Sequence, residues 1–290
     1  MNDIANKTEL DLTPEKDNRK VIVAFKDVKK DYKNFKSNHQ RVMFGLFGKD
    51  TRDTIHALKG VSFEIRKGEK VAIIGTATSG KTTTMRLMSG MIKPTEGIVR
   101  VKAEPTLIFD HKYGFKGELT GRENMRQRSY ILGWSKGKLE AVEEDIIEFA
   151  DLKGRIDEPV KTLPTGSMAR ISLGMMTAYK PELLLYDEYC NFGGKVYLPT
   201  CIERIKKALD EDATAVFTVG NYPFVKQFCT RGIVLDKGEY VFDGPIEEAM
   251  VYFRQNCKLD PVAAKEAKAR ERAEMEEMEM GDEEAYGSDF

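Results

Sequence analysis

Gly75-Thr76-Ala77-Thr78-Ser79-Gly80-Lys81-Thr82 reads G-x-x-x-x-G-K-T. The spacing suits a polyphosphate. Gly80 lets the backbone come close to an anion, and a run of N–H groups then points at the β-phosphate. Lys81 places a point charge between the β- and γ-phosphates, and the Thr82 hydroxyl is placed to ligate Mg²⁺. The helix expected next, through Thr83 and Thr84 to Met88, turns its positive end to the same anion. Context supports the pattern. Residues 70–74, Lys-Val-Ala-Ile-Ile, are a short apolar run of the kind that forms a buried parallel strand. A glycine-rich turn without a ligand would not need that flanking strand and helix.

Composition narrows the classes. A chain of 290 residues can fill one large or two small domains. Lys plus Arg is 46 and Asp plus Glu is 47, so no net field points to nucleic acid. Cys190, Cys201, Cys229 and Cys257 are widely spaced, which fits a reducing compartment and excludes a zinc ribbon or a disulfide framework. No apolar run reaches the ~20 residues that span a bilayer, and the N-terminus is too polar for a signal peptide. A membrane role would come through partners.

Around the loop the chain reads as α/β. Residues 1–19 read as a flexible lead-in, 20–25 as a strand, and 33–56 as basic and irregular. The apolar island at 42–47 is either a satellite of the core or a short helix for a partner surface. Residues 57–65 alternate as a strand, 94–97 suggest a tight turn, and 98–101 and 105–109 further strands. Residues 118–181 are expected to be a helical insertion, with Ile146, Ile147, Phe149, Ala150 and Leu152 at helical spacing. Residues 182–188 form an apolar strand ending in Asp187 and Glu188. Ligands in parallel sheets sit at the carboxyl ends of strands, so Asp187 can complete a Mg²⁺ shell and Glu188 can polarise a water. A helix at 200–209, strands at 214–219, 232–235 and 240–242 about a hairpin turn at 236–239, and a helix at 246–256 follow. From 258 to 290 the chain reads as a solvated helix fading into an acidic tail.

The order of these features resembles the ATP-binding subunit of an ABC transporter over residues 21–253. Within that family it looks most like the polysaccharide-export branch, which handles capsule, O-antigen and teichoic acid. Three stretches carry the narrower match: Leu119-Thr120-Gly121-Arg122-Glu123-Asn124, the Gly166 to Arg170 part of Leu163-Pro164-Thr165-Gly166-Ser167-Met168-Ala169-Arg170, and the basic insertion with its apolar island, similar to a gate helix. The resemblance implies a P-loop nucleotide-binding domain at 20–257, with a parallel sheet core, an antiparallel β subdomain and a helical insertion at about 118–181. It implies ATP and Mg²⁺ as ligands. Residues 75–83 (Gly75, Thr76, Ala77, Thr78, Ser79, Gly80, Lys81, Thr82, Thr83) would hold ATP, with Tyr32 stacked on adenine. Thr82 and Asp187 would hold the metal, and Glu188 would be catalytic. Thr165, Gly166 and Ser167 would reach the nucleotide of a second ATP-binding subunit, in a homo- or heterodimer. Membrane-spanning subunits would dock on the helical insertion, placing the chain at the cytoplasmic face of the inner (plasma) membrane.

Several family positions are filled differently. Pro164 stands where a signature serine is expected, and it has neither a hydroxyl nor an N–H. Thr165 replaces a glycine. The Q-loop glutamine falls at about His111, the D-loop aspartate at Gly194, and the switch histidine at Gly220 or Asn221. Binding of ATP and Mg²⁺ is expected to survive, with hydrolysis slow or partner-dependent, since one lost oriented donor costs on the order of 10²-fold in rate. The alternative is a catalytically weak regulatory or scaffold subunit of a polysaccharide export or synthesis complex. A soluble ABC ATPase of translation or DNA repair is disfavoured by the single cassette and the absence of net positive charge. A P-loop kinase or GTPase leaves 163–170 unexplained.

Overall fold

A computed structural model of the chain describes residues 19–34, 53–108, 115–187, 196–209, 212–218 and 225–257. The expected lead-in, the apolar island, the tail, and Glu188, His111, Gly194, Gly220 and Asn221 lie outside them.

Two sheets carry the fold. In the first, β1 (Val21–Asn34) lies between β2 (Asp53–Arg66) and β4 (Glu96–Val101), all antiparallel. In the second the order is β5-β6-β7-β3-β8-β9, from β5 (Pro105–Ile108), β6 (Leu183–Tyr186), β7 (Thr214–Thr218), β3 (Lys70–Ile74), β8 (Arg231–Asp236) and β9 (Glu239–Pro245). Its neighbours are parallel except β9, which returns antiparallel to β8. The β8–β9 turn has Lys237 at φ 50° and Gly238 at φ 84°. Positive φ at both central residues is what a tight two-residue hairpin requires.

Strand parity divides the core. Val71 and Ile73 of β3, Leu183 and Leu185 of β6, and Ile233 and Leu235 of β8 face the antiparallel sheet and α1 (Lys81–Met88). Ala72, Ile74, Leu184, Tyr186 and Val234 face the other way, towards α5 (Ser167–Thr177), α6 (Leu198–Ala208) and α7 (Ile246–Asn256). Both faces are covered, so these strands read as unbroken apolar runs rather than alternating ones.

Between β5 and β6 lie α2 (Gly121–Ile131), α3 (Lys136–Glu140), α4 (Glu143–Phe149) and α5. Residues 119–124, quoted above only for their resemblance, build the start of α2. The Thr120 side chain accepts from the Glu123 N–H at 3.1 Å, and Glu123 accepts from the Thr120 N–H at 2.8 Å, a reciprocal capping box. Asn124 is fully buried; its amide donates to the carbonyls of Lys116, Leu119 and Thr120, and its oxygen accepts from the Lys116 N–H at 2.8 Å. Arg122 forks onto Asp157 and pairs with Glu143.

The first sheet corrects the expected boundaries. Residues 33–34 and 53–56, expected to be irregular, are strand, and β1 continues past the expected end at 25 through 26–34. A register shift between Phe25 and Val28 inserts a bulge, with Asp27 at φ 47° and its N–H donating to Ser62 Oγ at 2.8 Å. The bulge reverses the inside–outside parity, so the apolar alternation on either side does not run through. The tight turn expected at 94–97 is corrected too: Glu96 and Gly97 are already in β4, with Glu96 paired to Lys29 of β1. A Cβ on Gly97 would lie 2.3 Å from the Asp27 carbonyl oxygen, so only glycine fits opposite the bulge.

Candidate functional site

The 75–80 loop leaves the carboxyl end of β3, between β7 and β8, and α1 starts from it. Its two end glycines are dictated by contact. A Cβ on Gly75 would lie 2.2 Å from Ser79 Oγ and 2.4 Å from the Leu235 carbonyl. Gly80 has φ 100° and caps α1; a Cβ there would lie 2.7 Å from the Ala57 carbonyl. The loop is braced from outside by the hairpin turn: the Gly238 N–H donates to the Ser79 carbonyl at 3.2 Å, and the Lys59 N–H to the Gly238 carbonyl at 2.9 Å. Both sheets thus hold the loop.

Lys81 is buried, and its ammonium donates to the carbonyls of Gly75 at 3.0 Å and Thr76 at 3.1 Å. The ammonium is therefore folded into the loop's concave side, where it can exchange carbonyl for phosphate oxygens. Thr82 and Thr83 follow on the first turn of α1, both half-buried, while the Thr84 hydroxyl donates back to the Gly80 carbonyl at 2.9 Å. Ala77 is exposed at the loop's crest and Thr76 is buried. Ser79 Oγ is buried and has no hydrogen-bond partner among the described residues. Thr78 sits at φ 79°, a left-handed conformation unusual for a β-branched residue.

Asp187 follows β6 at the same end of the sheet and is 2% exposed. Its Oδ1 accepts from the Thr218 hydroxyl, at the end of β7, at 2.7 Å. The sequence did not single out Thr218; its position as the last residue of a strand beside Asp187 emerges only from sheet order. A hydroxyl from Thr82 and a carboxylate from Asp187 are hard oxygen donors, a set suited to Mg²⁺ shared with phosphate.

Tyr32 lies on β1, half-buried, with Lys30 Nζ 5.2 Å from its ring centroid. The 163–170 stretch forms a turn and the start of α5. Pro164 and Thr165 are exposed, and Gly166 caps the helix at φ 84°. The Ser167 hydroxyl is turned inward, within 3.3 Å of Arg170 Nη2. The turn therefore presents Thr165 outward, while the Ser167 side chain faces the core.

A family model described as ABC transporter matches residues 58–191. The teichoic acids export ATP-binding protein TagH of Listeria monocytogenes serotype 4b (strain F2365) is 32% identical over 232 residues, 79% of this chain and 69% of that one. The chain belongs to the ABC transporter family. TagH of Staphylococcus haemolyticus (strain JCSC1435) is 27% identical over 238 residues, 82% of this ABC chain and 90% of the relative. TagH of Bacillus anthracis is 28% identical over 260 residues, 89% of this chain, but the chain spans only 47% of that relative's length. Among solved structures, the dimeric post-hydrolysis state of an ATP-binding cassette bound to ADP and Pi matches with a TM-score of 0.62 at 22% identity, covering 78% of this chain and 99% of that one. This likeness supports the ABC cassette fold. Among the described residues no helix is long and apolar enough to cross a membrane.

Proposed function

We propose that this chain is the ATP-binding subunit of an ABC exporter of a cell-surface polysaccharide, of the teichoic acid class that its relatives' names print. ATP binds the 75–83 loop, with Tyr32 on the adenine, and Mg²⁺ is held by Thr82 and Asp187. When bound, the metal neutralises charge on the β- and γ-phosphates. Glu188 polarises the attacking water. Two subunits close head to tail, so that the turn carrying Thr165, Gly166 and Ser167 of one meets the nucleotide of the other; the Ser167 hydroxyl faces Arg170 and its N–H donates to the Pro164 carbonyl at 3.1 Å, so Ser167 shapes the turn that presents Thr165 and Gly166. Closure moves membrane-spanning partners docked on the helical insertion at the cytoplasmic face. ATP does this as a ligand with higher affinity for the closed pair.

The observation that carries this reading is the Lys81 ammonium folded into a loop braced by both sheets, at the same sheet end as buried Asp187. Exposed Pro164 and Thr165 at the head of α5 favour slow or partner-dependent turnover. They also support a second reading, a catalytically weak ATP-binding regulatory or scaffold subunit. Hydrolysis measured with and without membrane extract separates the two. The export reading predicts turnover that rises with membranes and is lost in Glu188→Gln while ATP binding remains. ATP binding with no hydrolysis under either condition supports the scaffold.

A further inference from the structure

Helix α5 carries one charged residue, Arg170, and it is 1% exposed. Burying a cation costs free energy that an apolar side chain of similar volume would avoid. The guanidinium supplies geometry instead. Its Nε donates to the Ala150 carbonyl at 2.9 Å, and its Nη2 lies 3.3 Å from Ser167 Oγ in the first turn of the helix. Its central carbon sits 3.7 Å from the centroid of the Tyr197 ring. Tyr197 in turn donates through its hydroxyl to Asp151 Oδ2 at 3.0 Å, and its carbonyl accepts the Cys201 N–H at 3.1 Å, starting α6. Asp151, next to Ala150, is held at φ 55°. One planar cation therefore joins three segments: the turn that exposes Thr165, the end of α4, and Tyr197, the residue that caps α6.

We propose that Arg170 is a positioning residue that locks the 164–167 turn to Tyr197 at the head of α6 and to the end of α4, so that the turn is held in register for contact with a partner's nucleotide. The inference rests on the reading of the chain as a closing ATPase pair. Stacking and a fork geometry define the link, and a lysine provides neither.

The test compares the full chain with Arg170→Met, Arg170→Lys, Tyr197→Leu, Tyr197→Phe and the Arg170→Met/Tyr197→Leu double variant. Affinity is read with a fluorescent ATP analogue, turnover by phosphate release at saturating ATP and Mg²⁺, and folding by thermal melting. The link predicts that Arg170→Met, Arg170→Lys and Tyr197→Leu each lower kcat about tenfold with Kd for the analogue within about twofold of wild type. Tyr197→Phe keeps the stack and most of the turnover. The double variant is no slower than either single, since both remove the same coupling. Losses that multiply in the double variant, that follow thermal stability, or that fall equally on Kd would overturn it, as would variants turning over like wild type. If Arg170→Met fails to fold, the contrast between Tyr197→Leu and Tyr197→Phe decides. The turnover assays are run with and without membrane extract, and a wild type that does not hydrolyse under either condition overturns the ATPase reading itself, a result distinct from an active wild type with indifferent variants.

Discussion

Thr78 is the residue at which this loop most visibly departs from ease. A threonine at φ 79° puts its branched Cβ close to the following carbonyl, at a cost of about 1–2 kcal/mol that glycine does not carry. Part of that gain is offset by the larger entropy glycine loses on folding. Thr78→Gly is therefore expected to raise stability by roughly 0.5–1 kcal/mol, seen as a higher midpoint in urea unfolding with an unchanged slope. A lower midpoint would mean that the Thr78 side chain makes contacts worth more than the strain. The loop's sparse glycine was legible in the sequence; the position carrying the strain was not, because nothing in the residue types says which of 76–79 must be left-handed. Pro164 poses the complementary case. Restoring donors with Pro164→Ser and Thr165→Gly should raise kcat on the order of tenfold or more, if an oriented donor there stabilises the developing charge. Unchanged turnover would place the limiting step elsewhere.

At the level of elements, α2 shows how a motif can be read before its cause is known. Residues 119–124 pointed to a family branch, yet each polar side chain among them is committed to folding: Thr120 and Glu123 to the capping box, Arg122 to Asp157 and Glu143, Asn124 to its own loop. Asn124→Ala leaves the Lys116 N–H and three carbonyls without that partner and should cost about 2–4 kcal/mol, since each buried orphan costs ~1–3 kcal/mol. Thr120→Ala should cost about 1 kcal/mol. Equal effects from the two would contradict the assignment of Asn124 as the centre of the turn. Acidic side chains tie the same region together. Hydrogen bonding to Arg122 holds Asp157 below the usual carboxylate range, and Arg204 does the same for Asp145. A lowered folded pKa contributes stability above the ordinary value, near 4, and loses it as pH falls through the folded one. From these pairs no loss is expected between about pH 7 and 5; it begins below about 4. Thermal melting of wild type beside Asp145→Asn over that range checks it. A difference between the two that shrinks already between about pH 7 and 5 would contradict the assignment. Strands in the parallel sheet were legible because both faces are apolar. Those in the first sheet were read at 20–25, 57–65 and 98–101, but their full extent was hidden, because the bulge at Asp27 breaks the period of two on which the reading depends.

For the molecule as a whole, the decisive feature is that two sheets and one hairpin converge on a single loop. The P-loop, the strand ending in Asp187 and the intervening helices were all visible in sequence, because each has a local signature. The bracing by Ala57, Leu58 and Gly238, the Thr218 hydroxyl on Asp187 and the Arg170–Tyr197 stack were not. They depend on strand order and on contacts between distant segments, and no short window contains both partners. The core also predicts a chemical behaviour. Burial pushes the Cys201 thiol up to about 12, raises Cys229 further, and raises Cys257 with help from Asp236. All three are buried, so in the folded chain they should resist alkylation at about pH 8 and react once it is unfolded in urea. Rapid labelling of Cys229 in the native state would contradict its burial in the core.

The central claim is that the 75–82 loop, with Lys81 folded into it, binds ATP. Calorimetric titration of the full chain with ATP and Mg²⁺, beside Lys81→Ala, tests it most directly. The loss of a charge-assisted contact worth ~1.5–3 kcal/mol should weaken binding roughly tenfold to a hundredfold, with little change in thermal stability. If Lys81→Ala binds ATP as tightly as wild type, the nucleotide does not sit in this loop and the account of the site is wrong.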